Sequence, residues 1–62
     1  MANERIRKEM LLAGVSITEL AERMGLDENQ TVAMLNTDLG IMQSFTVMSA
    51  VCEIVSGKKE SA

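Results

Sequence analysis

The side chains that most often carry enzyme chemistry are nearly absent from this sequence. Among its 62 residues there is no His, Tyr or Trp, and Cys52 is the only cysteine. Cys52 has no histidine to activate it, and its place among apolar neighbours is typical of a small packed hydrophobe. Glu19 and Glu22 are three residues apart, a spacing that favours a solvated helix face beside Arg23 over an acid–base pair. We expect no enzyme activity.

The composition also argues against a bound metal or cofactor. One cysteine and no histidine cannot supply the ligands of a zinc site, and neither A-G-V-S nor L-G-I-M contains the lysine of a phosphate-binding loop. We expect no cofactor, no metal and no small-molecule substrate. A single cysteine, no export signal and apolar runs far shorter than a membrane span favour a cytoplasmic protein with no membrane contact.

Two helix starts close together are the strongest local signal. Ser16 is followed three residues later by Glu19, and Asp27 is followed three residues later by Gln30. Each pair fits a capping box, in which the two residues satisfy each other's free backbone N–H groups. Gly25 lies between them and can adopt the left-handed conformation that ends a helix. This pattern predicts two short helices joined by a tight turn.

The apolar residues of this helix pair define the faces that should pack together. The first inward face is Leu20, Ala21 and Met24, and the second is Thr31, Met34 and Leu35. Because Ala21 is small, the second helix can cross closely over it. The segment therefore predicts a helix-turn-helix, and the alternative is an αα-corner without a ligand.

At this point the chain resembles a known family. The segment L-A-E-R-M-G-L at 20–26, with an alanine four residues before the glycine, resembles the helix-turn-helix of lambda-repressor-like (Xre-type) DNA-binding domains. The preceding A-G-V-S-I-T-E-L-A at 13–21 is similar to the family's entry into that motif. The resemblance covers about residues 6–55. It implies an all-α fold whose second motif helix enters the DNA major groove.

The resemblance also implies which residues would contact DNA. The candidates for base contacts are Glu28, Asn29, Val32, Ala33 and Asn36. An asparagine can hydrogen-bond adenine, a glutamate can accept from cytosine, and Val32 or Ala33 can contact a thymine methyl group. The candidates for phosphate contacts are Arg5, Lys8, Thr18 and Arg23. The function so implied is that of a small transcriptional regulator that binds DNA as a homodimer.

The charge distribution leaves a second function open. The formal net charge is −3, and no Lys or Arg lies between Arg23 and Lys58. DNA binding therefore requires the cations to flank the motif helix on one face, namely Arg5, Arg7, Lys8 and Arg23. Scattered cations would favour the alternative, an acidic helix-turn-helix-fold protein-interaction module that regulates or antagonises another protein without binding DNA.

The remaining segments complete a single domain. A first helix is predicted from about Glu4 to Ala13, with Asn3 as its N-cap. A last helix is predicted from about Ile41 or Ser44 and ends at Gly57. The chain is thus predicted to be one all-α domain over 1–62, a small four-helix bundle of the lambda-repressor-like type. Its core is expected at about 4–56, followed by a polar tail at 57–62.

The last helix is apolar most of the way round. One stripe, expected in the core, consists of Ile41, Phe45, Met48, Cys52 and Val55. A second stripe consists of Val47, Val51 and Ile54. Because 62 residues cannot surround such a helix, the second stripe is predicted to form a homodimer interface that Val51→Glu would disrupt. The alternative is a terminal helix cradled by the other three.

Overall fold

The computed structural model describes residues 2–61, with side chains for residues 2–59. These residues form four helices and no strand. The helices are α1 (Glu4–Ala13), α2 (Ile17–Met24), α3 (Glu28–Leu35) and α4 (Ile41–Ser61). The all-α prediction is confirmed, and so are the bounds of α1. Met1 and Ala62, which end the predicted 1–62 domain, lie outside the described residues.

Both predicted capping boxes are present. The Ser16 hydroxyl accepts from the Glu19 N–H at 3.1 Å, and the Ser16 N–H donates to Glu19 Oε1 at 3.0 Å. Asp27 and Gln30 repeat this exchange at 2.7 and 3.0 Å. Gly25 ends α2 in the left-handed region, with φ of 72°. Because α2 and α3 have only eight residues each, such caps supply stability that short isolated helices lack.

The core is built around α2, which packs against both α3 and α4, while α1 packs against α4. Leu20 is fully buried, and Leu35 and Val47 are each 1% exposed. Thr31 is also fully buried, and its hydroxyl donates to the Asp27 carbonyl at 2.9 Å. The inward faces predicted for α2 and α3 are therefore confirmed, with Ala21 buried and the methionines of both faces partly buried against the core.

The core buries mainly the second apolar stripe of α4, whereas only Met48 and Val55 of the stripe predicted for the core pack against it. Val47 and Val51 are buried in the core, and Ile54 packs against it from a partly buried position. Ile41 and Phe45, which were predicted to be buried, are 89% and 70% exposed. The prediction that the stripe of Val47, Val51 and Ile54 is free for a dimer interface is therefore wrong.

The rotation of α4 follows from its packing against α2, since the buried face contains the small residue Ala50 between the two valines. Val47, Ala50, Val51 and Ile54 are spaced as one helix face. A small residue in that face lets α2 approach closely, whereas the stripe with Phe45 has no such gap. Val51→Glu would now place a charge in the core and destabilise the fold, so it no longer tests dimerisation.

The last helix is also longer than predicted, because it continues through Gly57 to Ser61. Glycine within a helix costs about 1 kcal/mol relative to alanine. The extra turn has a tertiary contact that offsets this cost. The Lys58 ammonium donates to the Gly14 carbonyl at 2.6 Å and forms an ion pair with Glu19.

We expect Ala21→Leu to lower the free energy of unfolding by about 1–3 kcal/mol, because added methylenes in a packed core force neighbours out of place. Ala21 is 3% exposed. The measurement is urea denaturation followed by circular dichroism. Ala33→Leu is the matched control, since Ala33 is exposed on α3. Equal unfolding midpoints for the two variants would show that α2 is not tightly packed at Ala21.

Candidate nucleic-acid interface

The exposed side of α3 carries four of the five predicted base-contact residues, and the fifth, Glu28, lies at the start of α3 next to α2. Glu28, Asn29, Val32, Ala33 and Asn36 are exposed, with Val32 at 44%. Asn29, Val32, Ala33 and Asn36 are spaced as one helix face. This outer face of α3 combines two amides with small and branched apolar groups, which are side chains able to hydrogen-bond or contact base edges.

The N-terminal ends of α2 and α3 meet at one edge of this face. The Thr18 hydroxyl donates a hydrogen bond to the Glu28 carboxylate. A predicted phosphate contact and a predicted base contact are therefore bonded to each other. Glu28 and the N-cap residue Asp27 make this edge acidic. To contact a ligand, Thr18 or Glu28 would have to give up the hydrogen bond between them.

The C-terminal end of α3 is held by two residues of the first helical segment. The Asn3 side-chain amide donates to the carbonyls of Leu35 and Thr37, both at 2.8 Å. The Arg7 guanidinium donates to the Leu35 carbonyl at 3.0 Å and to Asn36 Oδ1 at 2.6 Å. We call this set the α1–α3 polar contact. It satisfies carbonyl groups that a helix end leaves without partners.

The roles of Asn3 and Arg7 were not found from the sequence. Asn3 stands at the predicted N-cap position of α1, but its φ of 59° is left-handed and its side chain makes no cap hydrogen bond. Its side chain is directed to the end of α3 instead, as is that of Arg7. No local pattern in the sequence identifies the end of α3 as the partner of either residue.

The basic residues do not collect beside the outer face of α3. Arg23 forms an ion pair with Glu53 of α4. Arg5 lies in the cleft between α1 and α4, next to Ile6 and Phe45. Lys8 is exposed on α1. Among the predicted flanking cations only Arg7 contacts α3, so the phosphate roles of Arg5, Lys8 and Arg23 gain no geometric support.

Comparisons with protein-family models, with curated proteins and with solved structures found no match. Within residues 2–61, no helix is long and apolar enough to cross a membrane. The same part of the chain has no group of three His, Cys, Asp or Glu placed to hold a metal ion.

We expect Arg7→Ala to lower the free energy of unfolding by about 1 kcal/mol, the typical value of a partly exposed hydrogen-bonded contact. Arg7→Lys should not restore it, because an ammonium group cannot reproduce the guanidinium fork. Lys8→Ala, on an exposed neighbour, is the control. The measurement is thermal unfolding at equal protein concentration. Full recovery by lysine would mean that charge alone, without the geometry of the fork, holds α3.

The Glu19 carboxylate gives a pH-dependent prediction. The Ser16 backbone N–H, and after it Lys58, hold the pKa of Glu19 below its ordinary value of 4.5. A lowered folded-state pKa adds stability that is present above pH 4.5 and is lost as the pH falls through the lowered pKa. A glutamine in place of Glu19 keeps the capping box with Ser16 but removes the negative charge of the carboxylate.

Glu19→Gln should therefore unfold at a lower temperature than the parent at pH 7, and the difference should vanish in acid. Thermal unfolding between pH 7 and strongly acidic pH measures it. The matched control is Glu22→Gln, an exposed carboxylate on the same helix. A difference that is independent of pH would exclude the charge of Glu19 as its source.

Proposed function

We propose that the protein binds DNA through a helix-turn-helix formed by α2 and α3, and acts as a small transcriptional regulator. One observation carries the proposal: the outer face of α3 is exposed from end to end while its inner face is buried. In helix-turn-helix proteins, the second helix presents such a face to the major groove and the first helix crosses the backbone.

Two features of α2 and α3 support this arrangement. The helices are joined by three residues, 25–27, and the turn begins with a left-handed glycine. Both helix starts are closed by capping boxes, and the α1–α3 polar contact holds the far end of α3. A recognition helix held at both ends presents its side chains to DNA with little loss of conformational entropy.

The charge of this surface limits the expected affinity. Asp27 and Glu28 stand at the start of α3, and the helix itself has no Lys or Arg. Since phosphate neutralisation supplies most non-specific affinity, binding should be weak and should have a shallow salt dependence. Base contacts would then account for a larger share of the binding free energy than in a basic regulator.

The experiment is a fluorescence anisotropy titration of the full chain with duplex DNA from upstream of its own coding region. A shuffled duplex of equal composition serves as the reference, at about 50 mM and about 200 mM salt. We expect Asn29→Ala to weaken binding to the upstream duplex about tenfold or more, the cost of one bidentate amide–adenine pair, and to leave the shuffled duplex unchanged.

Gln43→Ala is the matched control, because Gln43 is an exposed amide on α4 rather than α3. Equal losses on both duplexes from Asn29→Ala would remove the assignment of Asn29 to base recognition. A parent protein that binds neither duplex at the lower salt, while circular dichroism shows it folded, would reject the DNA-binding proposal.

A second candidate function is an acidic protein-interaction module that regulates or antagonises another protein. The specific observation in its favour is that the cations are scattered and bond to other groups of this chain, which is the distribution expected for this alternative. Arg7, Arg23 and Lys58 each bond to groups of this chain, and Asp27 and Glu28 are exposed. The outer face of α3 would then dock against a basic surface of a partner, and the titration above separates the two candidates.

A further inference from the structure

The outer face of α4 is an apolar surface that the other described helices leave largely uncovered. We define it by Ile41, Met42, Phe45, Met48 and Cys52. Met48 lies at its edge and also packs against the core. Ile41, Met42 and Phe45 are 89%, 78% and 70% exposed, Cys52 is exposed and Met48 is half-buried. These are large side chains, and a small domain gains nothing within one chain by exposing them together.

We propose that the outer face of α4 is the interface of a homodimer, in which it packs against the same face of a second copy. The proposal rests on burial, charge and area, and it does not depend on DNA binding. It replaces the predicted interface of Val47, Val51 and Ile54, which the core of each chain already uses.

Charge selects a second copy as the partner. Each chain carries a formal net charge of −3, so two copies can approach closely only through a neutral surface. No charged residue lies in 39–52, which contains the whole outer face of α4. An isologous contact within this segment places no like charges against each other, and Arg5 of α1 lies only at its border.

The exposed area also fits a dimer. An aromatic side chain offers roughly 150–250 Å², and with Ile41 and Met42 exposed to a similar degree beside Phe45 the outer face of α4 exposes about 500 Å² of apolar surface. A standard interface buries about 800 Å² per partner, and homodimer interfaces are about 65% apolar, which also gives about 500 Å². The total surface of the chain is 4412 Å², so the contact would cover a substantial share of it.

The shape of the face permits self-pairing. Along α4, a helix of 21 residues, one row is formed by Ile41, Phe45, Met48 and Cys52. If two copies of α4 pack antiparallel about a two-fold axis between Phe45 and Met48, Phe45 meets the partner's Met48. Contact of a thioether with an aromatic ring is favourable. Chains of this length, without disulfides, commonly gain stability by such oligomerisation.

Sedimentation equilibrium of the full chain without DNA tests the proposal. From low to high micromolar concentration, we expect the mass to rise from 6.8 kDa toward twice that value. Phe45→Glu should weaken dimerisation at least tenfold, because it places two like charges at a desolvated two-fold axis. The fold should survive, since Phe45 is 70% exposed in a single chain. Circular dichroism checks this.

Leu11→Glu is the matched control. Leu11 is 82% exposed. It lies on one flank of α1, whereas Arg5, on the other flank, borders the outer face of α4. This variant should dimerise as the parent does. A parent that remains a single chain at all concentrations, or a Phe45→Glu variant that dimerises like the parent, would overturn the proposal.

Cys52 provides a second readout in the unmodified protein, because it is the only thiol and lies on the proposed interface. Alkylation of Cys52 by a maleimide should slow several-fold as the concentration rises through dimer formation. In Phe45→Glu the rate should not depend on concentration. A parent that doubles its mass without slowing this reaction forms its dimer through another face, which would also reject the proposal.

Discussion

The placement of α3 depends on how its two ends are satisfied. An eight-residue helix has little stability of its own, and each end leaves backbone groups without hydrogen-bond partners. The Asp27 capping box satisfies the start, and Asn3 and Arg7 of the first helical segment satisfy the end. With its ends bonded and its inner face buried against the core, α3 can leave a complete outer face in solvent. The candidate interface exists because of these contacts.

The way in which α4 is buried decides which apolar side chains remain on the surface. This helix has apolar residues on nearly all sides, and the other three described helices cover only part of them. The fold buries the face that contains Ala50, because a small residue allows close contact with α2. The cost is that Ile41, Met42 and Phe45 stay exposed. The exposed outer face of α3 and the apolar outer face of α4 are thus separate surfaces of one small domain.

The charged residues connect the elements rather than forming one basic surface. Arg7 bonds to the end of α3, Arg23 pairs with Glu53, and Lys58 joins the end of α4 to Glu19 and the loop after α1. In a chain of net charge −3 these contacts use three of its six basic residues. Any nucleic acid would therefore be bound more by side-chain hydrogen bonds than by phosphate neutralisation, and a protein partner of the outer face of α3 through the acidic residues Asp27 and Glu28.

The sequence by itself determined the local structure of this protein. Capping pairs, left-handed glycines and 3.6-residue spacing act over a few residues, so the bounds of α1, the two short helices, their inward faces and the exposure of the predicted base-contact residues could be predicted. Only the tertiary structure decided the rotation of α4, its continuation past Gly57 and the partners of Asn3, Arg7 and Arg23. These features depend on contacts between residues that are distant in sequence. Two apolar stripes of similar composition give no local signal of which one the core will bury.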